Sequence, residues 1–112
     1  MAKSIKRTYS AYSREAMHLF GSLIQAERKT QKMSEQELAD RSGVSRGLIR
    51  RIEAGDMKCD VGAVFEVAHI VGISLFDTGP SRLASQIKQV ESKLSLLPKA
   101  IHKKTKVIND DF

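Results

Sequence analysis

The stretch that constrains this chain most is Ser34 to Gly55, SEQELADRSGVSRGLIRRIEAG. Ser34 followed by Glu37 has capping-box spacing: the hydroxyl accepts an orphan backbone N–H and the carboxylate reaches back to the cap. A helix is therefore expected from there to about Ser42. Gly43 supplies the positive φ that a sharp turn requires, and Val44 follows as an apolar plug. A second helix is expected from Ser45.

At 100° per residue, Ile49 and Ile52 share one face of that second helix and can meet Leu38 and Ala39 of the first. The opposite face carries Gly47, Arg50 and Arg51, with Arg46 on the flank of the first turn. Two short helices, a glycine turn and a cationic outer face describe a helix-turn-helix whose second helix enters the DNA major groove. A helical hairpin with merely solvated arginines is the simpler alternative. Clustering on one face argues against it, because guanidinium groups suit phosphates and guanine edges.

Leu38, Ala39, Gly43, Val44, Ile49, Ile52, Glu53 and Gly55 resemble, in residue type and gap, the Cro/repressor (XRE) class of helix-turn-helix proteins. The resemblance implies an all-α, five-helix domain and a partly buried ion pair of Arg28 with Glu53, fixing helix 1 against helix 3. It also implies a DNA contact from a Gln directly after the capping Ser. Here Glu35 stands in that place and Gln36 is shifted by one, as the residue for that phosphate contact. Leu48 replaces a small polar residue and could meet a thymine methyl or pack beside the preceding helix. On this reading Arg46, Arg50 and Arg51 read bases, Gly47 lets the backbone approach the groove, and the Ser45 cap with the helix N-termini holds phosphates.

With 112 residues the chain has room for one compact domain and an appendage. Its net charge of +6 favours a polyanionic partner without identifying one. The distribution says more: residues 1–33 hold seven Lys or Arg against two Glu, whereas residues 34–60 hold five against six acids. The single cysteine, Cys59, cannot form an internal disulfide and has no second ligand at metal spacing, so it reads as a loop thiol and no metal or cofactor is expected. With no apolar run able to cross a bilayer and no signal-peptide pattern, a cytoplasmic location is expected and a membrane partner is not. No nucleophile–base pair and no phosphate-cradling glycine loop point to an enzyme.

Residues 1–11 read as a basic arm, carrying Lys3, Lys6 and Arg7, that lies along DNA or is simply solvated. Helix 1 is expected over about Ala11 to Lys29 with Ala16, Phe20, Leu23 and Ile24 on one stripe, and Gly21 within it marks a close helix contact. After Gly55, Lys58 is a loop cation for a phosphate or for solvent. Asp60 caps a helix whose apolar face is Val61, Val64, Val67, Ala68 and Val71, with Phe65 beside it, and Gly72 ends it. Ile73, Leu75 and Phe76 form a closing turn or fifth helix, completing a DNA-binding domain over residues 12–77.

Thr78-Gly79-Pro80-Ser81 is a break. Over residues 81–97, Leu83, Ile87, Val90, Leu94 and Leu97 repeat with gaps of four, three, four and three, an a/d seam. Too short to stand alone, this amphipathic helix is expected to pack on its own domain, a second subunit or another protein, with the homodimer preferred because paired half-sites require one. Pro98 stops it, leaving a flexible tail over residues 98–112. The string LLPK at Leu96 to Lys99, with the terminal Asp110-Asp111-Phe112, resembles the tails of HipB-like antitoxins, which implies an autoregulatory repressor of operator DNA with a HipA-like serine/threonine kinase toxin as partner. A protein-interaction adaptor, or a phage-type repressor without a toxin, are the alternatives.

Overall fold

The computed structural model describes residues 8–76 and 80–103. It is all-α among these residues, with α1 Ala11–Thr30, α2 Glu35–Ser42, α3 Arg46–Glu53, α4 Val61–Val71 and α5 Pro80–Ser95. The chain divides into two compact units, Met1–Phe76 and Asp77–Phe112. The sequence-predicted arm up to residue 7, the break at Thr78 and Gly79 and the tail from residue 104 lie outside the described residues.

Each helix of the first unit starts on a capping side chain: Ser10, Ser34, Ser45 and Asp60 accept from the backbone N–H of Ser13, Glu37, Leu48 and Ala63. The capping box at Ser34 is only half formed. The Glu37 carboxylate turns away from the cap and takes Arg41 at 2.9 Å, one helical turn on, where a full opposite charge competes with a neutral N–H. Gly43 sits at φ 72°, and the N–H groups of Gly43 and Val44 both return to Ala39 O, at 2.9 and 3.2 Å. That arrangement closes α2 and aims the chain into α3 within three residues.

The core lies where α1, α2, α3 and α4 meet. Ile24, Leu38, Ile49, Ile52 and Val67 are fully buried, and Met33, Ala39, Val64, Ala68 and Val71 complete the cluster. In α1 the buried line is Gly21, Ile24 and Arg28, with Met17 and Phe20 packed beside it. Ala16 and Leu23, expected on this stripe, are exposed instead. They line, with Tyr12, Phe20, Met57 and Val61, an apolar groove to which no α3 residue contributes. Val61 and Phe65 of α4 are likewise exposed, at 66% and 41%, because the packed face of that helix is Val64, Val67, Ala68 and Val71.

Ile73 to Phe76 form no fifth helix within this unit: Gly72 at φ 90° ends α4, the Ile73 N–H returns to Ala68 O at 2.8 Å, and the chain continues through bends. Phe76 stacks on Phe65, with ring centroids 6.2 Å apart and planes 8° from parallel.

In the second unit Pro80 occupies the first position of α5, where its missing N–H costs nothing. Leu83, Ile87, Val90 and Leu94 are 36–60% exposed. Leu97 was expected inside this helix but lies beyond its end at Ser95. The N–H groups of Leu96 and Leu97 bond the carbonyls of Lys93 and Leu94, a tightened final turn, because Pro98 disfavours the helical conformation at the residue before it.

Candidate nucleic-acid interface

Helix α3 has two chemically distinct sides. Ile49, Ile52 and Glu53 are buried, whereas Ser45, Arg46, Gly47, Arg50 and Arg51 are exposed. Leu48 is half-buried and packs on the core cluster. A Cβ placed on Gly47 would meet nothing nearer than the Ser45 hydroxyl at 3.9 Å, so the backbone is open to approach there.

The buried side is locked by Arg28 of α1. Its Nε and Nη2 donate to the two oxygens of Glu53 at 2.7 and 3.0 Å, and Nη1 donates to Met33 O at 2.9 Å. Both side chains are almost fully buried. The hydrogen bond to Glu53 raises the Arg28 pKa above its ordinary value despite burial, which acts the other way. One guanidinium therefore ties α1, the turn before α2 and the last residue of α3 into one frame. Gln31 adds a bond from the end of α1 to the carbonyl of Val71 at 2.8 Å.

On the exposed side the three arginines differ. Arg50 donates its Nε to Glu35 Oε1 at 2.8 Å. Arg51 donates its Nε to Asp56 Oδ2 at 2.8 Å and reaches the Lys58 carbonyl, while Asp56 also accepts the Lys58 N–H at 2.8 Å. Arg46 makes no ion pair among the described residues. The Lys58 side chain is exposed, and Gln36 donates to Asp40 at 2.9 Å along α2. Arg50 holds the Glu35 carboxyl below the usual carboxylate range, and Arg51 with the Lys58 N–H does the same for Asp56. Both carboxyls are more acidic folded than unfolded, so whatever these pairs contribute is present above the unfolded carboxyl range and is lost as pH falls through the depressed folded values. Burial pushes the Cys59 thiol up, away from the thiolate.

The carboxylates facing the arginines are what sequence reasoning missed. Asp56 could have been found five residues past Arg51 across the Gly55 turn; Glu35 stands fifteen residues before Arg50 and meets it only through the packing of α2 on α3. Among the described residues no three His, Cys, Asp or Glu group to hold a metal ion, and no helix is long and apolar enough to cross a membrane.

Two helices joined at Gly43, with a buried inner face and a cationic outer one, define a helix-turn-helix, and residues 24–77 match the family model described as Helix-turn-helix. The chain is also similar to an uncharacterized HTH-type transcriptional regulator of Sinorhizobium fredii, 33% identical over 67 residues, which cover 60% of this chain and 34% of that relative. This chain thus spans about a third of the length of the curated relative it matches.

Proposed function

We propose that this chain is a sequence-specific DNA-binding transcriptional regulator that inserts α3 into the major groove. The observation that carries the reading is the two-sidedness of α3: a rigidly buried inner face presents Arg46, Gly47, Arg50 and Arg51 outward as a unit. The matched helix-turn-helix segment and the similarity to a transcriptional regulator support it. Ser45 and the N-terminal turns of α2 and α3 take phosphates, Gln36 and Lys58 add further backbone contacts, and the arginines read guanine edges. Regulation of this kind acts on cytoplasmic DNA and needs no catalytic group.

The test is binding of the purified chain to DNA from just upstream of its own gene, across a salt series, against a scrambled duplex. Preference by about 10³ or more with a steep negative salt slope is the expected result. Arg50→Ala should relax preference at one or two base pairs by roughly 5- to 100-fold, leaving the rest of the site intact. Equal weak binding to both duplexes overturns the reading.

Dimerisation through α5 is the second element of the proposal. Its support is the a/d seam of Leu83, Ile87, Val90 and Leu94, continued by Leu97, which a single chain leaves 36–60% exposed. Ile87→Asp with Leu94→Asp should turn a dimer into a monomer in sedimentation analysis and weaken operator binding by about 10²-fold or more, because two half-sites are no longer held together. A seam variant that stays dimeric transfers the role to another surface. The same exposed seam favours a second reading, an adaptor whose α5 and tail dock a protein; unchanged operator binding in that variant, with loss of a co-purifying partner, would select it.

The finer reading is an autoregulatory antitoxin of the HipB-like kind, binding a HipA-like kinase toxin. It is supported by the LLPK string and by Asp110-Asp111-Phe112, through their resemblance to that family. Co-expression with the product of the neighbouring gene tests it: the two should co-purify, and a kinase that remains toxic in the presence of this chain excludes the role.

A further inference from the structure

Arg50 meets its partner through Nε and not through its terminal nitrogens. The Nε–H donates to Glu35 Oε1 at 2.8 Å, and neither Nη1 nor Nη2 has a hydrogen-bond partner among the described residues. A guanidinium has two edges that can present parallel donors to guanine O6 and N7, and one of them uses Nε. With Nε engaged, the Nη1/Nη2 end is the edge left over.

Glu35 is well placed to fix that choice. It is the first residue of α2, directly after the Ser34 cap whose hydroxyl accepts the Glu37 N–H at 3.0 Å, so its backbone belongs to a rigid turn. Its side chain is 29% exposed against 60% for that of Arg50. The anchor is therefore the more buried partner. Arg51 contrasts with this, since both its Nε and an Nη face the loop after α3. Arg46 has no such tether among the described residues.

We propose that Glu35 is a positioning residue for sequence readout, holding Arg50 by Nε so that its Nη1/Nη2 end faces a guanine edge; this rests on the DNA-binding reading above. An untethered Arg50 swings to phosphates, which are present at every position and carry no sequence information. The negative charge of Glu35 adds to the effect by disfavouring non-specific approach to the backbone.

The experiment is selection by the full chain from a library of randomised duplexes, with base preferences read position by position for the wild type, Glu35→Ala, Glu35→Gln and Arg50→Ala. Glu35→Ala should lose preference at the same G·C pair as Arg50→Ala, by roughly 5- to 100-fold, while its binding to a scrambled duplex rises. Glu35→Gln keeps an acceptor for Nε without the charge and should retain the preference. Unfolding midpoints close to wild type confirm that α2 is intact in both variants.

Two results overturn the inference: an unchanged base preference in Glu35→Ala, or an equal rise in binding on all duplexes in both Glu35 variants, which makes Glu35 a repulsive charge and nothing more. A wild-type chain that selects no sequence removes the regulator reading, and the inference with it. A selective wild type with an indifferent Glu35→Ala removes only the inference.

Discussion

Glu53→Ala should destabilise the first unit by about 3–5 kcal/mol, the usual consequence of leaving one member of a buried ion pair without its partner. Arg28 would keep its bond to Met33 O but lose two charge-assisted bonds, and its place on the buried face of α1 offers little water in exchange. A folded unit of this size is stabilised by roughly 4–11 kcal/mol, so the loss should shift its urea midpoint sharply and leave a visible unfolded fraction near 37 °C. Glu53→Gln, which keeps the volume and one acceptor, should lose less. Replacing both partners by apolar residues, Arg28→Met with Glu53→Leu, should recover much of the loss, because the penalty comes from an unpaired buried charge rather than from absence of the pair. Because the Arg28 pKa is raised in the folded state, its contribution is complete below the ordinary guanidinium range and vanishes only above it, so the midpoint difference should persist across neutral and mildly alkaline pH. DNA binding by Glu53→Ala should fall in proportion to the unfolded fraction, Glu53 being on the buried side of α3. A loss under about 1 kcal/mol would mean that the apolar cluster alone holds α1 on α3.

How much of this was legible in the sequence depends on the range of the interaction. The helix-turn-helix was, because its determinants are local: the capping serines, the left-handed Gly43 and the three-residue gap between Ile49 and Ile52 act within a few residues of themselves. The outer face of α3 followed from the same periodicity. Arg28 with Glu53 spans 25 residues, and only the resemblance to a known family pointed to it. Where no such pattern existed, the long-range partner stayed hidden: Glu35 with Arg50 is set by how α2 crosses α3. The stripe of α1 was misplaced for a different reason. Apolar residues cover more than one face of that helix, so periodicity could not separate the residues beneath α3 from those lining the groove beside it. The residue that settles the rotation is Gly21, which the sequence marks as a close helix contact without showing that its partner is the end of α3. At the end of α5, Leu97 continued the heptad gaps but stood before Pro98, and local backbone sterics outweighed the pattern.

That glycine carries the second large expected effect. Gly21→Ala would ordinarily stabilise a helix interior by about 1 kcal/mol, since Ala is the better helix former. Here the opposite sign is expected. A Cβ at Gly21 would overlap the carbonyl oxygen of Ile52 and stand 2.9 Å from that of Glu53. These are backbone atoms at the end of α3, and no rotamer change can move them aside. The neighbouring turn is also close: a Cβ on Gly55 would lie 3.0 Å from the Cα of His18, one helical turn before Gly21. Accommodation therefore requires α3 to lift from α1, straining the Arg28–Glu53 bonds and opening the core cluster to which Ile24 and Ile52 both belong. We expect a net loss of about 1–3 kcal/mol, the range of an overpacked core, read as a lower urea midpoint. Gly62→Ala serves as the control, because a Cβ there meets only the flexible Asp60 carboxylate at 3.4 Å; it should be neutral or stabilising by up to about 1 kcal/mol. If both variants gain stability, α1 and α3 do not approach this closely, and the rigid backing that presents Arg46, Arg50 and Arg51 as a unit would have to come from α2. If Gly21→Ala loses stability and Gly62→Ala does not, the approach of α1 to the end of α3 is what sets the pose of the arginine face. The folded fraction of Gly21→Ala should then show weaker discrimination between DNA sequences even where its helix content matches the wild type.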